Sequence, residues 1–388
     1  MQYRTIRKLG VDVSALGFGC MRLPTLDGIP QSQNIDEAET VRMIRRAVDE
    51  GVNYIDTAYP YHGGRSEVVT GMALRDGYRE KVMLATKSPI WLIEKPADFD
   101  KYLAEQLARL RSDRIDFYLF HGLGTERWEG AVLKHNLIER AEAALKDGRI
   151  GHIGFSFHDG PEAFKRLVDG YDGWDFCQIQ YNYMDTENQA GTAGLKYAAS
   201  KGLAMIVMEP LLGGRLAVPP PAAADVFRAS ARGWSPAEWA LQWLWDQPEV
   251  STVLSGMTAM TEVEENLGAA GRSAPGTLEA GDREVIERAR KVLLERASIP
   301  CTRCGYCRPC PSGVDIPRNF ELYNECVIYD DPAIPRLWYT RFLDDGEKAC
   351  ACTACRACEE KCPQGIAISE LMPEVHAVLG ENRAPKRG

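Results

Sequence analysis

The sequence predicts an α/β protein in which a (β/α)8 TIM barrel of parallel strands is followed by a small, mainly helical, cysteine-rich domain. Short, almost continuously apolar strands alternate with amphipathic helices over roughly the first 290 residues, and about seven or eight such units fit a closed barrel. Near residue 297 the composition changes to cysteine, proline and glycine. A doubly wound open sheet is the alternative, but no strand is followed by a G-x-G-x-x-G turn. We therefore expect two domains, 1–296 and 297–388.

The helix over residues 35–51 shows how the individual elements are predicted. Asp36 and Glu39 form a capping box, an apolar residue recurs along one face, and Gly51 suits the C-terminal cap. The same reading places further helices at 66–75, 98–111, 136–147, 161–169, 192–201, 235–246 and 282–296. It places strands at 53–58, 82–87, 116–121, 152–157, 176–182, 204–210 and 251–256.

Charge and composition limit the class of partner. The formal net charge of the 388 residues is −9, which argues against a nucleic-acid backbone or an anionic membrane as the main partner. We find no apolar run typical of a signal peptide or of a membrane span, so a cytoplasmic location is expected. Twelve cysteines could form a disulfide framework, but that interpretation suits short secreted domains. Eight of them lie in two C-terminal clusters, which favours metal ligation by thiolates.

Two related cysteine runs form an internal repeat. Residues 352–363 contain C-x2-C-x2-C-x3-C-P, the run with which bacterial ferredoxins hold a [4Fe–4S] cluster and in which the fourth cysteine serves the neighbouring cluster. The run at 301–311 is one residue shorter before its final Cys-Pro. We therefore predict a ferredoxin-like domain with two clusters, although the shortened run leaves a single cluster open.

The ferredoxin pattern gives two crossed ligand sets. One consists of Cys301, Cys304, Cys307 and Cys362, and the other of Cys352, Cys355, Cys358 and Cys310. Zinc is the alternative metal, but zinc sites usually present two separate C-x2-C pairs.

Titratable residues lie where the barrel strands end. Asp56, Lys87 and His121 come at the ends of three successive predicted strands, and Tyr61 follows in the loop after Asp56. Each alone has an ordinary structural explanation, such as a turn cap, a solvated charge or a packed ring. Because active sites of such barrels lie at the carboxyl ends of the strands, their joint occurrence indicates a catalytic site.

The segments YIDTAYPYHGGRSE, LATK, DFYLFH, GFSF, CQIQYN, MEPLLGG and SGMTAMTEVEEN resemble the aldo-keto reductase family in order and spacing, from residue 1 to about residue 290. With the cysteine tail, the chain resembles the branch that carries a C-terminal ferredoxin-like domain. The resemblance implies that NAD(P)H reduces a small-molecule aldehyde or ketone to an alcohol. It also implies a catalytic tetrad of Asp56, Tyr61, Lys87 and His121.

Elementary chemistry supports those roles. A tyrosine with a pKa of about 10 holds its proton at neutral pH and releases it reluctantly. A nearby lysine ammonium stabilises the phenolate, and Asp56 would hold that ammonium in place. His121 would orient the carbonyl oxygen.

The resemblance also implies the coenzyme contacts. Ser156 and Gln178 match residues that hold the nicotinamide carboxamide, whereas Phe157 and Met208 replace the usual asparagine and the usual stacking aromatic. The other implied coenzyme contacts are Gly19, Met21, Leu211, Gly213, Ser255, Gly256, Glu262, Glu265 and Asn266. Glu262 stands where NADPH-preferring relatives place a cation, which favours NAD(H), although Arg272 lies close enough in sequence to supply a charge.

The cysteine tail leaves the functional class open, because a hydride carries two electrons and an iron–sulfur cluster accepts one at a time. A simple carbonyl reductase with a structural tail is the main hypothesis. The alternative is an electron relay, in which the clusters exchange electrons with a partner flavoprotein or ferredoxin, or with a flavin in the barrel. A third hypothesis, a sensor of nucleotide or redox state, is disfavoured by the intact tetrad.

Overall fold

The computed structural model describes residues 1–385. Its strands are β1 (Tyr3–Ile6), β2 (Val11–Ser14), β3 (Leu16–Gly19), β4 (Tyr54–Asp56), β5 (Met83–Ser88), β6 (Ile115–Leu123), β7 (Ile150–Phe157), β8 (Phe176–Gln180), β9 (Ala204–Met208) and β10 (Val250–Gly256). Strands β3 to β10 form a closed barrel of parallel neighbours, with β10 pairing both β9 and β3. The predicted barrel is therefore confirmed over the open sheet.

Strands β1 and β2 form an antiparallel hairpin that we did not predict. Its residues Ile6 and Val13 belong to the same buried cluster as Tyr54, Phe117 and Phe176 inside the barrel. Those barrel residues come early in their strands, so the hairpin closes the amino-terminal end of the barrel. The carboxyl ends of the strands remain for chemistry.

Helices cover the outside of the barrel and build the tail. They are α1 (Glu37–Asp49), α2 (Arg65–Ala73), α3 (Ala97–Leu110), α4 (Thr125–Arg127), α5 (Leu137–Lys146), α6 (Pro161–Asp169), α7 (Gly191–Ser200), α8 (Pro221–Arg228), α9 (Pro236–Trp245), α10 (Met260–Gly271), α11 (Ala280–Leu294), α12 (Ile316–Tyr329), α13 (Ala333–Phe342) and α14 (Ile368–Leu379). Each helix and strand predicted with bounds is found, and no bound differs by more than two residues.

Half of the capping box predicted for α1 is present, because the Glu39 carboxylate pairs with Arg42 and does not accept from the Asp36 N–H. The Glu39 backbone N–H donates to Asp36 Oδ1 at 3.0 Å, and Gly51 has a φ of +94° just beyond the helix. A positive φ costs little only in glycine, so this residue ends the helix.

Two compact units make up the described chain. One consists of residues 1–217 and 237–280 and contains the barrel; the other consists of 218–236 and 281 onwards. This division places nearly all of α11 with the cysteine region, whereas the sequence boundary at 296/297 follows the change in composition. The second unit has its own core, in which Phe320, Leu322, Met372 and Val375 are fully buried.

Within residues 1–385, no helix is long and apolar enough to cross a lipid bilayer.

Candidate active site and cysteine centre

The barrel strands bring the predicted tetrad together. Asp56 is the last residue of β4 and pairs with Ala85, two residues before Lys87 on β5. Lys87 in turn pairs with Leu119, two residues before His121 on β6. The three side chains therefore stand at the same rim of the barrel, at the carboxyl ends of adjacent strands.

Lys87 is the centre of this group. Its Nζ donates to Asp56 Oδ1 at 2.7 Å and to the Thr57 carbonyl at 2.8 Å. A third contact joins Nζ to the Tyr61 hydroxyl at 3.3 Å. The Lys87 side chain is only 1% exposed, so the ammonium is held inside the protein with all three of its donors directed at partners.

Charge in this group is balanced. Burial opposes the ammonium form of Lys87, but Asp56 and Tyr61 outweigh burial and raise its pKa. Burial raises the pKa of Tyr61, and Lys87 opposes that rise. At neutral pH the structure therefore holds a protonated phenol beside a lysine ammonium paired with a carboxylate.

His121 completes the site as a neutral imidazole. Its ring centroid lies 6.1 Å from that of Tyr61. Burial, followed by the positive charge of Lys87, lowers the His121 pKa well below its usual value. Its Nδ1 is buried and has no hydrogen-bond partner within residues 1–385. A buried ring nitrogen with no partner is costly unless a ligand pairs with it.

Three residues that the sequence analysis did not single out lie near the tetrad. Trp91 lies against His121 with a centroid separation of 5.2 Å. The Arg127 guanidinium carbon lies 5.5 Å from the Trp91 centroid. The Glu209 carboxylate is near enough to Tyr61 to contribute to its raised pKa. Trp91 follows Lys87 by four residues. Arg127 ends the short helix α4 and Glu209 directly follows β9, and the pattern of apolar residues does not indicate what either side chain contacts.

The two predicted carboxamide ligands are also neighbours. Ser156 on β7 pairs with Gln178 on β8. Ser156 Oγ accepts a hydrogen bond from the Gly122 N–H at 2.7 Å. Gln178 Nε2 contacts Met208 Sδ at 3.5 Å, while its Oε1 is buried without a partner within residues 1–385. An orphaned amide oxygen at this place fits the NH2 group of a nicotinamide carboxamide.

The loop after β9 has an unusual backbone. Glu209, Leu212, Gly213 and Gly214 all have positive φ values, from 46° to 99°. For Glu209 and Leu212 this conformation is strained, and such strain concentrates at binding sites. The predicted contacts Leu211 and Gly213 lie in this loop, and the Gly213–Gly214 pair leaves the backbone open to a close-approaching group.

The predicted contacts at the end of β10 are held by packing and by a side-chain hydrogen bond. Gly256 pairs with Gly19 of β3, and a Cβ on Gly19 would lie 3.3 Å from the Ser255 carbonyl oxygen. Asn266 Nδ2 donates to Ser255 Oγ at 3.0 Å. Met21 is partly exposed just beyond Gly19.

The helix that follows places two carboxylates differently. Glu262 Oε2 accepts from the Thr258 and Ala259 backbone N–H groups at 2.6 and 3.3 Å. The Glu262 carboxylate thus caps α10, a role that the sequence analysis did not assign. Glu265 is exposed one turn further along. Arg272 donates twice to Glu238 Oε1, at 3.0 and 2.8 Å, and Arg22 lies against Gly256.

His62 is a structural residue. It follows Tyr61 directly in the sequence, and it is buried. Its Nε2 accepts from the Leu23 N–H at 3.2 Å, and its Nδ1 lies 2.6 Å from the Ser32 carbonyl oxygen. His62 therefore fastens the segment after β3 to the Tyr61 loop.

In the second unit, four thiols of one predicted set surround an apolar pocket. Cys301, Cys304, Cys307 and Cys362 line it. The remaining walls include Ile316, Phe320, Ile366 and Ile368. A ring of thiols around apolar space is the environment that an iron–sulfur cluster requires.

The second predicted set is partly gathered. Burial raises the pKa of Cys358 to about 11, and its electrostatic neighbours include Cys310 and Cys352. Cys310 of the first run is thus close to cysteines of the second run, as crossed ligation requires. Cys355 is exposed, as is Cys304 at the equivalent position of the first run.

The repeat seen in the sequence is also a repeat of backbone conformation. Arg303 and Gly305 have positive φ in the first run, and Ala354 and Arg356 at the equivalent positions have positive φ in the second. Three residues after each Cys-Pro cysteine a glycine N–H closes a turn onto that cysteine's carbonyl, at 3.0 and 3.1 Å. Helices α12 and α14 then begin six residues after the respective cysteine.

Among residues 1–385, no group of three or more His, Cys, Asp or Glu side chains is arranged to hold a single metal ion.

Two family models match the chain in consecutive segments. Residues 15–274 match the aldo/keto reductase family, and residues 300–367 match a 4Fe-4S dicluster domain.

Known proteins agree with the first match. The chain is 28% identical over 336 residues to the NADH-specific methylglyoxal reductase of Escherichia coli, covering 73% of this chain and 97% of that protein. Among solved structures, the holo form of an aldo-keto reductase, AKR11C1, from Bacillus halodurans superposes with a TM-score of 0.61 at 25% identity, over 74% of this chain and 96% of that one. An aldo/keto reductase from Klebsiella pneumoniae in complex with NADP and acetate gives 0.59 at 26% identity, over 72% and 92%.

The parallel barrel, the matched segments and the cysteine repeat lead to one conclusion. This chain belongs to the aldo/keto reductase family of oxidoreductases and carries a 4Fe-4S dicluster domain C-terminal to its barrel.

Proposed function

We propose that this protein reduces an aldehyde or ketone to an alcohol with NAD(P)H, using Tyr61 as proton donor. The observation that carries the proposal is the contact of the Tyr61 hydroxyl with the buried Lys87 ammonium at 3.3 Å, beside the orphaned Nδ1 of His121. Reduced nicotinamide, when bound, supplies the hydride for the carbonyl carbon.

Each side chain of the tetrad has a separate task in this proposal. Tyr61 gives its proton to the carbonyl oxygen, which becomes the hydroxyl of the alcohol product, and a Tyr61 phenolate remains. Lys87 stabilises that phenolate, and Asp56 keeps the ammonium aimed at it. His121, as a neutral imidazole, donates a hydrogen bond to the carbonyl oxygen and fixes its position.

We propose the coenzyme contacts predicted from the sequence, with Gln178 Oε1 and Ser156 at the carboxamide. Support for NADH over NADPH comes from Glu262, whose carboxylate is fixed by its cap beside the end of β10 and would repel a 2′-phosphate. Arg272 is held by Glu238 rather than free to pair with that phosphate. Relatives include an NADH-specific enzyme and one solved with NADP.

We propose two [4Fe–4S] clusters in a functional module that begins at residue 297, each held by the crossed set described above. When bound, a cluster accepts or releases one electron at a time. The cysteines of this chain supply the thiolates, and residues such as Phe320 and Ile316 exclude water from the first site.

A relay of electrons to a redox partner protein is the second candidate function. It is favoured by the exposure of one thiol in each set, Cys304 and Cys355, because a ligand at the surface shortens the path to a partner. Adding NADH to the anaerobic holoprotein without aldehyde separates the candidates. Bleaching of the cluster absorbance would favour the relay, and steady absorbance during aldehyde turnover favours the reductase.

The reductase proposal is tested by Tyr61→Phe in the cluster-loaded protein. We expect unchanged circular dichroism and iron content, with aldehyde-dependent oxidation of NAD(P)H slowed about 10²- to 10⁴-fold, the usual contribution of a general acid. Turnover retained at the wild-type rate would refute Tyr61 as the proton donor.

A further inference from the structure

Arg127 extends the row of side chains that begins at the tetrad. It ends α4, the short helix after β6, the strand that carries His121. Its guanidinium lies over the Trp91 ring at 5.5 Å. Trp91 in turn lies 5.2 Å from His121, and His121 lies 6.1 Å from Tyr61. Phenol, imidazole, indole and guanidinium therefore follow one another without interruption.

A hydrogen bond to the backbone fixes the position of the Arg127 guanidinium. Arg127 Nη1 donates to the Gly122 carbonyl at 2.9 Å. Gly122 has a φ of +62°, and a Cβ there would lie only 2.6 Å from Arg127 Nη1. A glycine at this turn thus both permits the backbone conformation and leaves room for the guanidinium. Arg127 is exposed, so its guanidinium is open to a ligand, and the hydrogen bond to Gly122 fixes its position.

Arg127 has no ion-pair partner among the described residues. Among residues 1–385, Arg127 has no Asp or Glu oxygen within 4.0 Å, whereas the ammonium of Lys87 is paired with Asp56. A guanidinium carries five N–H donors in a planar fork that matches a carboxylate. With one donor used on Gly122, Arg127 keeps both its charge and most of its donors for a ligand.

We propose that the substrate carries a carboxylate as well as the carbonyl group, and that Arg127 binds this carboxylate while Tyr61 and His121 hold the carbonyl. This inference rests on the proposed reductase function and names its substrate class, the oxo acids. Trp91, which is 43% exposed, would contact the carbon chain between the two groups. A substrate bound in the reverse orientation would place its carboxylate at Tyr61, where the nearby Glu209 carboxylate would repel it.

The test compares oxo acids with their neutral esters. The substrates are 4-oxobutanoate and 5-oxopentanoate against the corresponding methyl esters, with the cluster-loaded protein and NADH or NADPH. Arg127→Gln should lower kcat/KM for the acids about 10- to 100-fold, the range of a charge-assisted hydrogen bond. It should change kcat/KM for the esters less than about twofold. Arg127→Lys should restore part of the loss, because it keeps the charge but not the fork.

Two controls make the outcome decisive. Arg166→Gln removes an exposed arginine of α6 that pairs with Glu129, and it should leave both substrate types unaffected. Calorimetric binding of 4-hydroxybutanoate to the protein with oxidised coenzyme gives a readout that needs no turnover, and Arg127→Gln should weaken that binding by the same factor.

Each outcome has one meaning. Equal effects of Arg127→Gln on acids and esters, or hydroxy-acid binding unchanged by the variant, would overturn the oxo-acid proposal, whether or not esters are reduced. Esters reduced without any preference for the acids would do the same while leaving the proposed reductase function intact. Binding that depends on Arg127, with no reduction of any carbonyl, would instead support the carboxylate site and count against the reductase function.

Discussion

The barrel rim and the cysteine repeat organise their functional groups in opposite ways. At the rim, the ammonium of Lys87 already has Asp56 and Thr57 as close partners within the protein. In the repeat, four cysteines line an apolar pocket, namely Cys301, Cys304, Cys307 and Cys362.

This difference indicates how each region depends on what it binds. The rim is preorganised, so its geometry costs nothing at the moment of reaction and its folding does not depend on a coenzyme. The repeat needs a cluster to join its thiolates, and ligand binding of this kind contributes directly to folding. The barrel is therefore expected to fold without coenzyme, and the cysteine region only with its clusters.

The largest expected effect comes from removing one cluster ligand. Cys362→Ala should abolish the cluster that Cys301, Cys304 and Cys307 share with it, so that the protein loses about half of its iron and labile sulfide. Because cluster binding and folding are coupled, limited proteolysis should then cut the region beyond residue 297 while the barrel stays intact. Iron analysis and mass spectrometry of the fragments measure both.

Cys350 provides the matched control for this prediction. It is exposed and lies outside both ligand sets, so Cys350→Ser should keep the full iron content and the resistance to protease. An iron content that falls equally in both variants would contradict the ligand assignment.

An intermediate effect is expected at the rim. Lys87→Met leaves Asp56 as a buried carboxylate without its cation, which typically costs about 3–5 kcal/mol in the free energy of unfolding. Burial raises the pKa of Asp56, and Lys87 normally opposes this rise. Without Lys87 the folded state binds a proton more readily than the unfolded state, so the variant should lose stability as the pH rises above about 4. Urea unfolding at several pH values measures this.

A double variant separates charge from packing. Asp56→Asn combined with Lys87→Met removes both charges. The double variant should recover part of the lost stability, and the decrease in its free energy of unfolding that Asp56 causes above about pH 4 should disappear. If the single and double variants unfold alike at every pH, the ion pair is not what holds the rim together.

The smallest effect is expected for coenzyme choice. Glu262→Gln keeps a side chain that can still cap α10 but removes its charge, so affinity for NADPH should rise a few-fold relative to NADH, in line with about 1 kcal/mol for a surface charge. Fluorescence titration with both nucleotides measures the ratio. A wild-type preference for NADPH, unchanged in the variant, would refute the assignment of NADH.

The regular part of the fold could be predicted from the sequence because it follows periodic patterns. Strand ends place Asp56, Lys87 and His121 at one rim once a barrel is assumed, and the structure brings them together. The spacing of the cysteines predicts the repeated cluster-binding segments in the same way. Both are local signals whose three-dimensional consequence is fixed by the parallel strands or by the ligand geometry.

Several features that the sequence did not reveal depend on contacts between segments that are distant in the chain. Arg127 faces Trp91 across 36 positions of sequence, and His62 is fixed by Leu23 and Ser32, which lie in a segment without periodicity. Glu262 is the third residue of α10, a position that suits a capping carboxylate. From the sequence this segment is assigned to nucleotide binding, and the cap is therefore not predicted. The β1–β2 hairpin was not predicted because a strand of four residues is too short to show a clear alternation of apolar and polar residues.

The central claim, hydride transfer to a carbonyl at the Tyr61 site, is tested most directly with deuterated coenzyme. The cluster-loaded protein is mixed under anaerobic conditions with [4,4-²H2]NADH and an aldehyde, and the alcohol is analysed by mass spectrometry while the cluster absorbance is followed. We predict one deuterium on the carbinol carbon of each alcohol molecule, with the cluster absorbance unchanged. Alcohol without deuterium, or coenzyme oxidation accompanied by cluster bleaching, would contradict the claim.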